Sequence, residues 1–204
     1  MDPLDQLENK SIYLIREAYA RFHGSLALLW SMGKDSTALL WLVRKAFLGR
    51  IPFPILHIDT GYKFPEMYAF RDRLANEWGF ELIIGKNETK LGQGMGPDSG
   101  LKLECCSELK TNVLRDMITS HGFSAVILGI RRDEHGIRAK ERHVHLLSIV
   151  GIKARWRGYR SLNKISSVER RITLECDLLK NFGGKETCML PIVLNWMFHL
   201  AVRL

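Results

Sequence analysis

The heptapeptide Ser31-Met32-Gly33-Lys34-Asp35-Ser36-Thr37 joins a glycine, a cation and three hydroxyls at the point where an apolar run gives way to a helical pattern. A polar, glycine-containing turn between a buried strand and a helix directs backbone N–H groups outward from the helix N-terminus, where an anion is stabilised. Gly33 permits close backbone approach, Ser31, Ser36 and Thr37 offer hydroxyls, and Lys34 adds charge, so the chemistry in prospect is the holding of phosphate. An ordinary strand–helix loop capped by Asp35 or Ser36 has the same composition. The loop is not a Walker loop, because Leu28 and Asp35 stand where that pattern needs a glycine and a Ser or Thr.

Two further polar clusters follow apolar runs. Asp59-Thr60-Gly61 follows Phe53–Ile58, and Arg131-Arg132-Asp133-Glu134, continuing to Arg138 and Arg142, follows Ser124–Ile130. Guanidinium forks match tetrahedral oxyanions. The same arginines could instead pair locally with Asp133 or Glu134, or cover one solvated helix face at the 138–142 spacing. His57 lies inside a strand and reads as a core residue; Trp30 and Trp41 read as packing. The cysteines Cys105, Cys106, Cys176 and Cys188 include no C-x-x-C pair. Neither a zinc ribbon nor a disulfide scaffold is indicated, no metal ligands are assigned, and reduced thiols in a cytoplasmic protein fit best.

The elements that must position these clusters alternate. Asp2-Pro3 predicts the start of a helix carrying Leu4, Leu7, Leu14, Ala18 and Phe22 on one stripe, with Gly24 as its stop. Strands are expected over 25–30, 53–58, 80–84 and 124–130, and helices over 35–47, 65–78 and 107–121, with a long loop over 87–102. This alternation predicts an α/β fold, a doubly wound parallel sheet with helices on both faces, Rossmann-like in type. Ligands of such sheets bind beyond the carboxyl ends of the strands, and all three polar clusters fall there.

Composition sets outer bounds. The 204 residues are 46% hydrophobic and 25% charged, ordinary for a globular domain. No apolar run approaches the ~18–20 residues that span a bilayer, and Met1–Gln6 does not resemble a secretory signal. The net charge is +8, but residues 144–204 hold ten of the thirty Lys/Arg and only four of the twenty-two Asp/Glu. The basic excess thus lies outside the motif-bearing part, which gives a nucleic-acid partner little support.

The SMGKDST loop resembles the phosphate loop of the ATP pyrophosphatase group, with Met32 where a glycine is usual. Together with IDTGYKFPEMYAFRDRLANEWG, CCSELKT and GIRRDEHGIRAKER, it resembles the phosphoadenosine-phosphosulfate reductase family, in its branch of small subunits of two-component bacterial ATP sulfurylases. The resemblance implies an adenine nucleotide alpha-hydrolase-like fold and a nucleotidyltransferase of sulfate assimilation, making adenosine 5′-phosphosulfate and pyrophosphate from ATP and sulfate. It places Ser31, Gly33, Lys34, Asp35, Ser36 and Thr37 on the β/γ-phosphates, and Asp59, Thr60 and Gly61 beside the adenosine or α-phosphate. Arg131, Arg132, Arg138 and Arg142 fall to sulfate and the α-phosphate, with Lys34, Arg131 and Arg138 as the catalytic set. It implies Mg²⁺ with ATP, held largely by phosphate oxygens, and a GTPase large subunit as partner in a heterodimer. Met32 is compatible if its backbone angles are normal.

Two other family readings and one non-enzymatic reading compete. Cys105-Cys106 resembles the double cysteine of adenylylsulfate reductases, but Cys176 and Cys188 are twelve apart and do not complete their iron–sulfur pattern. The loop type is also shared by tRNA-modifying ATP pyrophosphatases. After Arg142 the resemblance stops. Val193–Met197 can be encoded by GTACTGAACTGGATG, which two bases on reads Thr-Glu-Leu-Asp, a segment of the family. The expected organisation is therefore a nucleotide-binding domain over 1–143 and an atypical basic tail over 144–204, out of frame or poorly ordered, in which case the chain is an inactive fragment.

Overall fold

Helix α1 (Pro3–Arg21) begins at an N-cap: the Asp2 carboxylate accepts from the Leu4 N–H at 3.2 Å, and Pro3 sits in the first turn, where its missing N–H costs nothing. The chain is seen here in a computed structural model that describes residues 2–99, 102–130, 145–148 and 186–193. Then follow β1 (Leu26–Leu29), α2 (Lys34–Ala46), β2 (Ile55–Asp59), α3 (Pro65–Trp78) and β3 (Leu82–Lys86). Strand β2 starts two residues later than the apolar run predicts. Pro52 and Pro54 supply no ladder donors, although Phe53 between them is buried.

The sheet order is β3-β2-β1-β4-β6-β5, with β4 at Ala125–Ile130, β5 at His145–Ser148 and β6 at Glu186–Val193. Pairing is parallel from β3 through β6, and only β5 runs antiparallel, against β6. Side-chain alternation along the strands fills a core on each face. Leu26, Leu28, Trp30, Ile55 and Ile127 pack with residues of α1, α2 and α3, while Ala27, Leu56 and Val126 pack with Val113, Met117 and Ile118. The doubly wound sheet with helices on both faces is the observed architecture.

Two segments differ from the sequence reading. Within 87–102 the chain forms a short helix, α4 (Glu88–Gly92), capped by the Asn87 side-chain Oδ1 accepting from the Lys90 N–H at 3.1 Å. The helix expected over 107–121 instead starts as α5 (Lys102–Cys106), widens into a π turn at Ser107–Thr111, and continues as α6 (Asn112–His121). The Asn112 N–H reaches back to the Ser107 carbonyl, a five-residue spacing that leaves Leu109, Val113 and Met117 in the core while re-aiming the residues between them.

Close approaches fix two glycines. A Cβ on Gly129 in β4 would stand 3.1 Å from the Asp35 carbonyl oxygen, so the first turn of α2 lies directly on this strand. A Cβ on Gly85 in β3 would overlap the Met117 and Val113 side chains of α6. Strands β5 and β6 both come from the segment beyond residue 143. Pro191 in β6, in register with Leu128 of β4, falls past Met189, the last β6 residue paired to β5 among the described residues.

Candidate active site

Strands β2, β1 and β4 are parallel neighbours, so their carboxyl ends share one edge of the sheet. The chain builds β1, β2 and β3 in one direction and then places β4 on the other side of β1, so the strand order reverses at β1. The 31–37 loop leaves β1 at that point, the 59–61 turn leaves β2, and the arginine segment follows β4. Arg131, Arg132, Arg138 and Arg142 themselves lie outside the described residues.

The 31–37 loop is braced from within. Ser36 is buried and its hydroxyl donates to the Gly33 carbonyl at 3.1 Å, accepts from the Ser31 N–H at 3.2 Å and meets the Ser31 hydroxyl at 3.0 Å. The Thr37 hydroxyl accepts from the Trp30 indole N–H at 3.0 Å. These bonds fix the loop's shape and leave Ser31, Gly33 and Lys34 exposed on it. Gly33 is the N-cap of α2 and brings no side-chain acceptor, so the anion-favouring end of this helix is not capped by its own residue. Met32 adopts φ +63°, the left-handed region, rather than the ordinary angles that the sequence reading asked of it. The usual glycine at this position would take that angle freely; here the Met32 side chain is anchored in the core, 8% exposed.

After β2 the chain makes an Asx turn: the Asp59 carboxylate accepts from the Gly61 N–H at 2.9 Å and from the Tyr68 hydroxyl at 2.7 Å. Gly61 sits at φ +75°, and a Cβ there would press on Leu91 of α4 at 3.1 Å. Tyr62 ties the same turn to the Met95 carbonyl at 2.9 Å. Burial works to raise the Asp59 carboxyl, but its two hydrogen bonds and the charge of Lys63 outweigh it and hold it below the ordinary value.

Between these two turns lies a cavity of about 450 Å³, a size that suits a small-molecule ligand. The end of β1 contributes Leu29, Trp30 and Ser31, and the end of β2 contributes Ile58, Thr60 and Lys63. Lys110 and Thr111 of the π turn and Leu114 of α6 form the third wall. Among the described residues the lining holds two lysines and no carboxylate. Apolar and cationic groups together suit a ligand that is part flat ring and part oxyanion.

His57 is fully buried at the back of this wall. Its Nδ1 lies 2.8 Å from the Trp30 carbonyl, an acceptor, so Nδ1 carries the proton and Nε2 is left to accept from the Lys63 ammonium at 2.9 Å. Burial pushes its pKa down to about 4, with Lys63 and Arg71 adding to the effect against the Trp30 bond. Burial also lowers Lys63, helped by Arg71 and Lys110 and opposed by Asp59. Trp30 packs against Phe70 and Phe80, as a packing residue should, while also backing the cavity.

Of the residues expected from sequence, Ser31 and Thr60 line the cavity, with Gly33, Lys34, Asp59 and Gly61 in the two turns beside it. Lys63, Lys110 and Thr111 escaped the sequence reading. A lysine inside the turn that follows Asp59-Thr60-Gly61 is a signal that could have found the first. The other two depend on the π turn. Cys105 and Cys106 on α5 are free thiols, partly buried.

The phosphoadenosine phosphosulfate reductase domain model matches residues 25–170. Sulfate adenylyltransferase subunit 2 of Serratia proteamaculans is 49% identical over 140 residues, covering 68% of this chain and 46% of that protein. The chain thus spans just under half the length of this relative. Among solved structures, phosphoadenylyl-sulfate reductase from Candida auris, a phosphate complex, superposes with a TM-score of 0.61 at 14% identity, covering 100% of this chain and 85% of the other. Candida glabrata FMN adenylyltransferase in complex with ATP gives a TM-score of 0.57 at 14% identity, covering 94% and 50%. These two share the fold. Sheet order, loop placement and the match over 25–170 agree, and the chain belongs to the phosphoadenosine phosphosulfate reductase domain family.

Proposed function

We propose that the chain provides the ATP-binding site of a sulfate adenylyltransferase, which transfers AMP from ATP to sulfate. The observation that carries this reading is the cavity bordered by the α2 N-terminus and the Asp59–Gly61 turn, whose lining among the described residues is cationic and apolar. In the reaction a sulfate oxygen attacks the α-phosphorus, a new phosphorus–oxygen bond forms, and the bond to the β-phosphate breaks with pyrophosphate leaving. Sulfate is a poor nucleophile, so the protein's task is to position the reactants and stabilise the leaving charge.

Ser31, Gly33, Lys34, Asp35, Ser36 and Thr37 cradle the β/γ-phosphates, with the buried Ser36 and the half-buried Thr37 setting the loop's shape behind the exposed residues. Thr60 and Gly61 border the adenosine and α-phosphate, and Asp59 holds their turn in place. Arg131, Arg132, Arg138 and Arg142 bind sulfate and the α-phosphate, with Lys34, Arg131 and Arg138 stabilising charge in the transition state. The described lining residues fit Mg²⁺ as an ion carried in on phosphate oxygens, whose charge it would neutralise. The similarity to a protein named subunit 2 supports a partner subunit, which we propose to be a GTPase acting with this chain in the cytoplasm.

ATP–pyrophosphate exchange, measured with and without sulfate and with the GTPase subunit added, tests the reading. Exchange that requires sulfate is expected. Exchange indifferent to sulfate would overturn it.

A further inference from the structure

Lys63 is held unusually well for a lysine at a cavity wall. Its ammonium donates to His57 Nε2 at 2.9 Å and to the Ile58 carbonyl at 2.7 Å. Both partners are neutral, and an ammonium has three protons, so one N–H remains for the cavity that Lys63 lines. Among the described residues Asp59 opposes its desolvation while two cations add to it. Lys110 shares the cavity, Arg71 adds to the same field, and Asp59 acts on Lys63 only through space, its own carboxylate being held by Gly61 and Tyr68. Among the described residues this half-buried cation has neutral hydrogen-bond partners and faces two like charges against one carboxylate, so an anion in the cavity would add to its counter-charge.

We infer that Lys63 is a pre-aimed binding residue for a tetrahedral oxyanion, phosphate or sulfate, in this cavity, and that His57 is its positioning residue. His57 does this through its tautomer. The Trp30 carbonyl takes the Nδ1 proton, which compels Nε2 to face Lys63 as an acceptor and draws the ammonium to the wall between β2 and the π turn. Without that acceptor the four-carbon stem would sample other rotamers, and each anion contact would cost ordering entropy. The inference deepens the adenylyltransferase reading and rests on it only for which oxyanion is bound.

The test titrates the full chain with adenosine, AMP, ATP, inorganic phosphate and sulfate by calorimetry, in the wild type and in Lys63→Met, Lys63→Arg, His57→Gln and His57→Asn, each checked for folding by circular dichroism. Loss of one charge-assisted hydrogen bond predicts that Lys63→Met binds AMP, phosphate and sulfate at least about tenfold more weakly, with adenosine unchanged. Lys63→Arg keeps most of the affinity. His57→Gln retains an acceptor near the Nε2 position and binds anions within about threefold of wild type. His57→Asn keeps only the Nδ1-like donor to Trp30, remains the more stable of the two, and binds anions more weakly than His57→Gln.

Oxyanion affinities unmoved in Lys63→Met, or a wild type that binds none of these oxyanions, would overturn the role of Lys63. Equal anion binding in the two His57 variants would overturn the role of His57. A wild type that binds phosphate through Lys63 but ignores adenosine and ATP would leave this inference standing and remove the adenylyltransferase reading. ATP binding indifferent to Lys63 would do the reverse.

Discussion

Acidifying the protein through the range where a free histidine titrates should cost stability at one identifiable residue. His57 is fully buried, donates Nδ1–H to the Trp30 carbonyl and accepts from the Lys63 ammonium. A second proton would strip Nε2 of its acceptor role and set two cations side by side, so burial and then Lys63 push its pKa down to about 4 from the ordinary 6.5. The folded-state value lies below the unfolded one, so protons favour the unfolded chain. The stability is present above pH 6.5 and is lost as the pH falls toward 4. Linkage puts that loss at about 3 kcal/mol between pH 7 and pH 4. Asp59, also lowered, acts in a separate window, because its contribution disappears only as the pH falls below the ordinary carboxyl range. Urea melts of the wild type and His57→Asn at half-unit steps from pH 7 to 4.5 isolate the term. The wild-type curve should fall more steeply than the variant's between pH 6.5 and 4.5, and parallel curves would refute the argument.

Other perturbations follow from the same geometry. Gly129→Ala places a methyl against the Asp35 and Ser36 backbone at 3.1 to 3.3 Å; it should destabilise by about 1–3 kcal/mol in a thermal melt and weaken phosphate binding by displacing the α2 N-terminus. Gly85→Ala should destabilise to a similar degree, and adding Met117→Ala should recover part of that loss, since the overlap is with its side chain. Met32→Val should be less stable than Met32→Leu by about 1 kcal/mol or more, because branching at Cβ is resisted at φ +63°. The gene's nucleotide sequence, read in the shifted frame beyond codon 143, should yield the family-like Thr-Glu-Leu-Asp segment, and a shifted frame without it removes the out-of-frame account of residues 144–204.

The frame of the fold was legible because its signals are local. Leu26 and Leu28 on one face of β1, with Trp30 just beyond it and Ala27 on the other face, make the near-continuous apolar run of a strand buried on both sides. Asp2-Pro3, Gly79 and Gly122 mark helix ends by conformations that few other residues take. The Ser31–Thr37 and Asp59–Gly61 turns were legible as a pair, since parallel strands send both to one edge. What escaped depends on contacts that no spacing records. The π turn is a hydrogen-bond slip inside a helical pattern, and it alone brings Lys110 and Thr111 to the cavity. His57 reads as core, and it is core; its hold on Lys63 arises from the path of the turn between them. Met32 was expected at ordinary angles, but the tight exit from β1 demands a left-handed residue whatever side chain stands there. Strand β6 was missed although Thr187–Val193 is an apolar run after Gly183-Gly184, because the charge of the surrounding segment drew the reading toward a tail.

The central claim is that the cavity between the 31–37 loop and the Asp59–Gly61 turn is an adenine-nucleotide site. A crystal of the full chain soaked with ATP and Mg²⁺ tests it most directly. The account predicts triphosphate density over Gly33 and Lys34 at the α2 N-terminus, with the α-phosphate facing Lys63 and the adenosine against Ile58 and Leu114. Nucleotide bound elsewhere on the molecule, with this cavity empty, would contradict it.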